Sequence, residues 1–127
     1  MLFLRFKAPT QSWTIGPTGA FNLRGTDMLF PNRTEPVARF EDGSWYLDDQ
    51  RCTIVECHAT LSIQFENDAG NITPMSGLRT GFYLRGAYAF AGRERIAKLD
   101  PFAGTWFRLD KRESWLQLRI RAVPHRP

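Results

Sequence analysis

Glu56 and His58 stand two residues apart in a stretch where polar and apolar side chains alternate, so both reach the same face of an extended strand. A carboxylate beside an imidazole can exchange protons near neutral pH, which makes this the candidate catalytic pair. No motif places a serine or cysteine nucleophile near it. Glycine-rich phosphate loops, HExxH, GxSxG and EF-hand patterns are absent. The sequence therefore predicts no cofactor and no metal, and favours binding over catalysis.

The two cysteines lie in Cys52-Thr-Ile-Val-Glu-Cys-His58, a β-branched run that reads as extended. Five residues of strand separate their Cα atoms by roughly 16 Å, beyond the ~7 Å reach of a disulfide. On one straight strand they face opposite ways and cannot converge with His58 on a metal. Free thiols fit a reducing compartment and predict a cytoplasmic protein.

Arginine supplies 14 of the 17 basic residues, and the charge is uneven. Residues 1–66 hold six basic and eight acidic side chains, and residues 67–127 hold eleven and five. A basic half concentrates anionic partners around it: a small molecule, a nucleic acid or an acidic protein. Arg24 and Arg85 each follow an inward leucine and precede a glycine, so they face outward and could clamp an anion, or pair with Asp49 and Asp110. Trp45 and Trp106 lie just past hairpin turns, where tryptophan plugs the end of a core or offers a stacking platform. Trp115 falls on the polar face of the last strand with Arg119 and Arg121. An exposed tryptophan beside arginines suits a ligand surface or a contact between subunits.

The elements that must position these residues are strands. Thr53–Glu66 alternates from Val55 onward, and Leu116–Ala122 repeats the pattern after a loop at Asp110–Glu113. Further strands are predicted at Leu2–Lys7, Ser12–Ile15, Ala20–Arg24, Met28–Phe30, Val37–Phe40, Ser44–Leu47, Phe82–Phe90 and Thr105–Leu109. Arg93–Leu99 reads as strand or as a helical turn ended by Asp100-Pro101. Glycine and proline punctuation every 8–12 residues argues an all-β barrel or sandwich of about ten strands in one domain. No apolar run reaches the ~18 residues that cross a bilayer.

At an offset of 61 residues, Phe21-Asn-Leu-Arg-Gly25 falls on Phe82-Tyr-Leu-Arg-Gly86 and Gly43-Ser-Trp-Tyr46 on Gly104-Thr-Trp-Phe107. Asp49 meets Asp110 and Arg51 meets Arg112. Strand phase holds as well, with Val55, Cys57, Ala59 and Leu61 falling on Leu116, Leu118, Ile120 and Ala122. The expected organisation is two tandem repeats, residues 1–61 and 62–122, sharing one core about a pseudo-twofold axis, with a frayed tail at 123–127. Such a protein is expected to bind an anionic or aromatic partner through Arg24, Arg85, Trp115, Arg119 and Arg121. The alternatives are a homo-oligomeric assembly protein using the same surface, and a barrel enzyme using Glu56 and His58.

Overall fold

The computed structural model describes residues 1–124. All its regular structure is β. The first half holds β1 (Leu2–Lys7), β2 (Ser12–Thr18), β3 (Ala20–Arg24), β4 (Asp27–Leu29), β5 (Ala38–Glu41), β6 (Ser44–Leu47) and β7 (Gln50–Cys52). A long β8 (Ile54–Glu66) leads into β9 (Ile72–Pro74), β10 (Arg79–Arg85), β11 (Tyr88–Ala91) and β12 (Glu94–Asp100). The chain then closes with β13 (Thr105–Arg108), β14 (Glu113–Trp115) and β15 (Gln117–Ala122). No helix is long and apolar enough to cross a membrane among the described residues.

Every pairing is antiparallel, and one sheet contains all fifteen strands found among the described residues. Its path runs β14-β13-β12-β11-β10-β8-β15-β3-β4-β5-β6-β7, with β1 and β9 branching from β8 and β2 pairing only with β1. The strict alternation of β8 makes it the spine. Its start pairs with β1 (Arg5 opposite Glu56) and β10 (Leu84 opposite Val55), and its end pairs with β15 (Ile120 opposite Ile63). Two meanders, β3–β7 and β10–β14, extend from this spine.

The meanders meet through tryptophan. Trp45 of β6 donates its indole N–H to the Gly86 carbonyl at 3.0 Å, and Trp106 of β13 donates to the Gly25 carbonyl at 3.1 Å. Each member of one bond lies 61 positions from its counterpart in the other. The two indoles stack, with centroids 6.4 Å apart and planes 12° from parallel, and Phe21 meets Phe82 edge-on at 5.8 Å. Gly25 and Gly86 have φ of 55° and 56°, left-handed backbone that disfavours a side chain. A Cβ on Gly25 would also lie 3.2 Å from the Gly104 carbonyl oxygen, and one on Gly86 3.4 Å from that of Gly43. The turn tips therefore interlock backbone to backbone, and Leu4, Phe6, Leu23, Leu61, Ile63, Phe65 and Leu84 fill the space behind them.

Several expectations change. Arg93–Leu99 forms no helical turn: Glu94–Asp100 is a strand paired on both sides, with Ile96, Ala97 and Leu99 buried. Phe82–Phe90 is two strands, because Gly86 and Ala87 form a hairpin turn that sets Arg85 opposite Tyr88. The count rises from about ten to fifteen as three-residue strands appear at β7, β9 and β14, too short to show a period. A bend at Thr53 separates Cys52 from Cys57, so both are buried instead of facing opposite sides; both are free, as expected. Of the expected tail, Val123 N–H donates to the Thr60 carbonyl at 3.0 Å. Residues 125–127, including His125, lie outside the described residues.

A cation and aromatic face on the second meander

Tyr83 and Arg85 on β10 lie on one face, with Phe82 and Leu84 buried beneath. Tyr88 and Phe90 on β11 share that face, above buried Ala89 and Ala91. Cross-strand register sets Tyr83 opposite Phe90 and Phe90 opposite Arg95; it also sets Tyr88 opposite Lys98 and Lys98 opposite Phe107. A patch four strands wide thus carries four aromatic rings and three cations.

Tyr83 and Phe90 stack at 4.4 Å with planes 5° apart. The Arg95 guanidinium lies 4.3 Å from the Tyr88 ring centroid and 5.8 Å from that of Phe90, and Lys98 Nζ lies 5.5 Å from Tyr88. Each such contact contributes about 0.5–1 kcal/mol at an exposed site and restrains a flexible cation. The carboxylates beside the patch are already engaged, Glu56 by Lys7 and Glu94 by Arg79. Arg85, Arg95 and Lys98 have no carboxylate within 4.0 Å among the described residues.

Past the patch, the β12–β13 hairpin presents Phe102, fully exposed. Its backbone is fixed, since the Asp100 carboxylate accepts the N–H groups of Phe102 and Ala103, each at 3.1 Å. An open cleft of about 340 Å³ lined by Lys98, Asp100, Pro101, Phe107 and Ser114 lies where this hairpin meets the patch.

The residues singled out from sequence do not gather here, Arg85 excepted. Arg24 is exposed like Arg85, but Arg24 is level with the Glu66 end of β8 and Arg85 with the Ile54 end, so they do not form one clamp. Arg119 pairs with Glu66 (Nη1 to Oε1, 3.8 Å), and Arg121 is exposed at a separate cleft beside β2.

Trp115 is not exposed. A bend at Leu116 breaks the strand, shifts the parity and places Trp115 on β14, 8% exposed and 6.1 Å from Phe65. It is a core residue, and the subunit contact expected of it loses its anchor.

Glu56 and His58 do share a face, with Glu56 Oε2 3.6 Å from His58 Nε2. Glu56 Oε1 also binds Lys7 Nζ at 2.8 Å, and that hydrogen bond holds the carboxyl below the usual carboxylate range. Such a carboxylate accepts a proton less readily, and the His58 side chain is 80% exposed. Burial pushes the Cys57 thiol up to about 12, which leaves it protonated and unreactive at neutral pH. Among the described residues no three of His, Cys, Asp or Glu converge as metal ligands.

Asp110 pairs with Arg108, not with Arg85. Arg108 Nε and Nη2 donate to its two carboxylate oxygens at 2.6 and 3.1 Å, and these bonds hold the Asp110 carboxyl below its ordinary range. Arg108 is 3% exposed, lies 4.9 Å from the Phe65 ring centroid, and leaves Nη1 without a partner. A buried cation with an orphan donor adds little net stability. Replacing the whole pair, Arg108→Leu with Asp110→Asn, is expected to equal the wild type or exceed it by about 1–4 kcal/mol in urea unfolding. A loss above about 2 kcal/mol would show that the pair holds the fold together.

The signal for the cation and aromatic face was present in the sequence but masked by strand parity. Read as one strand, Phe82–Phe90 puts Tyr83 and Arg85 opposite Tyr88 and Phe90. Split at Gly86, it puts all four on one side. The chain matches no protein family model, no curated protein and no solved structure.

Proposed function

We propose that the protein is a non-catalytic binding domain, and that the outer face of β10–β13 receives single-stranded nucleic acid. The observation that carries this reading is the pair of cations, Arg95 and Lys98, held on Tyr88 with no carboxylate partner. Cations fixed in this way meet phosphates with little further ordering. Phe102 offers a ring with both sides free for a base, and stacking on such a ring accepts any base. Single-stranded nucleic acid carries both anionic phosphates and aromatic bases along one chain.

We read the chain as a tandem duplication, residues 1–61 and 62–122. The reciprocal Trp–Gly bonds and the facing Phe21 and Phe82 support this reading. At the matched positions the first copy has Asn22, Asp27 and Leu29 where the second has Tyr83, Tyr88 and Phe90. Glu41 stands where the second copy has Phe102. The copies share the buried pattern and differ on the outer face, so the second copy has specialised in binding. The two free, buried thiols of the first copy, Cys52 and Cys57, suit a protein of the reducing cytoplasm.

Titration of isotopically labelled protein with an eight-residue thymidine oligonucleotide tests the site. Amide shifts are expected to concentrate on Tyr83, Arg85, Tyr88, Phe90, Arg95 and Lys98. Shifts confined to the first meander, or none at all, would refute the assignment.

A further inference from the structure

The segment between β4 and β5 is the largest departure from the 61-residue correspondence. Pro31 and Pro36 stand where the second half has Gly92 and Ala97, and the second-half residues run on into β12. Here the chain forms a loop, fixed at both ends. Arg33 N–H donates to the Phe30 carbonyl at 3.1 Å, and Val37 N–H to the Met28 carbonyl at 2.7 Å. The two prolines fix φ within it.

This loop, β2 and β15 enclose an open cleft of about 670 Å³, with Arg33, Arg121, Asn32, Gly16 and Phe30 on its walls. No acidic side chain lines it. Neither arginine has a carboxylate within 4.0 Å among the described residues. The Arg33 guanidinium lies 6.0 Å from the Phe30 ring centroid. A second cleft of about 610 Å³ shares Ile15, Asn32 and Arg33 with the first and has Glu35 and Asp48 on its walls. Arg33 thus stands where the two clefts meet, with Arg121 in the first and Glu35 and Asp48 in the second.

From this arrangement we infer a small-molecule site, separate from the β10–β13 face, for a phosphate monoester of a hydroxylated compound. Two guanidinium forks match the charge and oxygen geometry of a phosphate dianion. Glu35 and Asp48 accept hydrogen bonds from hydroxyl groups further along. Position 121 is matched by Thr60 and position 33 by Glu94, so the site occurs once in the molecule.

The test is an amide-shift titration with inorganic phosphate and with glucose 6-phosphate. Shifts are expected at Gly16, Asn32, Arg33 and Arg121, with glucose 6-phosphate binding more tightly. Arg33→Ala and Arg121→Ala should each weaken both ligands about tenfold or more. Glu35→Gln removes a negative charge from the second cleft, so it should bind inorganic phosphate at least as tightly as the wild type and narrow the difference between the two. The Arg95→Glu, Lys98→Glu double variant should bind both as the wild type does. Absence of shifts at the cleft up to about 10 mM phosphate would overturn the site. Loss of phosphate binding in the double variant would assign the signal to the other face and equally overturn it. Equal affinity for the two ligands would overturn the role of Glu35 and Asp48.

Discussion

Trp106→Ala is expected to destabilise the protein by about 3–5 kcal/mol in urea unfolding, a large part of the ~5–15 kcal/mol that holds a domain together. Three losses combine. Trp106 is fully buried, so its removal empties a cavity that the sheet cannot easily close, because the turn tips on either side are already in backbone contact. Its stacking partner Trp45 loses one face. The Gly25 carbonyl is left without its donor, a cost of about 1–3 kcal/mol in its own right. Trp106→Phe, which keeps most of the volume and loses the N–H, should fall between the wild type and the alanine variant. Because Trp45 and Trp106 touch, their two alanine substitutions should not add; a coupling of about 0.5–1.5 kcal/mol is expected. A loss below about 1 kcal/mol for Trp106→Ala would mean that the meanders are held together elsewhere.

That interlock shows how much of the fold was legible. The offset of 61 brought Trp45, Trp106, Gly25 and Gly86 to notice as recurring residues, and β8 and β15 could be read from alternation alone. What sequence could not give was the partnership across the molecule, in which each tryptophan serves the glycine turn of the other meander. Local periodicity carries no information about a contact 81 residues away. Parity failed wherever the chain bent. One bend at Leu116 moved Trp115 from the surface to the core, and one turn at Gly86 gathered Tyr83, Arg85, Tyr88 and Phe90 onto one face. Charge alone drew attention to Arg119, which Glu66 occupies, and passed over Arg95 and Lys98, whose freedom depends on which neighbours lie across the strand. Arg33 was passed over for a related reason: its setting is a loop with no period to read.

Reversing the charge of Arg95 and Lys98 together should be the most damaging change to binding. Arg95→Glu, Lys98→Glu removes two of the three free cations on the face and sets two carboxylates over Tyr88. Hydrogen bonds to charged groups contribute about 1.5–3 kcal/mol each, so the affinity for an oligonucleotide should fall by a hundredfold or more. Both positions are exposed, and the thermal midpoint should stay within a few degrees of the wild type. A stable variant that still binds as the wild type does would place the nucleic acid on another surface. Tyr88→Ala should weaken binding less, since it frees the two cations without removing them.

The dependence of affinity on salt tests the binding face most directly, by fluorescence anisotropy of a labelled oligothymidine. Three phosphate contacts, from Arg85, Arg95 and Lys98, predict that log K falls against log salt with a slope of about −2 for a single strand. In the double variant the slope should shrink toward about −0.7, the value for the one cation that remains. A wild-type slope near zero, or the same slope in both proteins, would contradict the account.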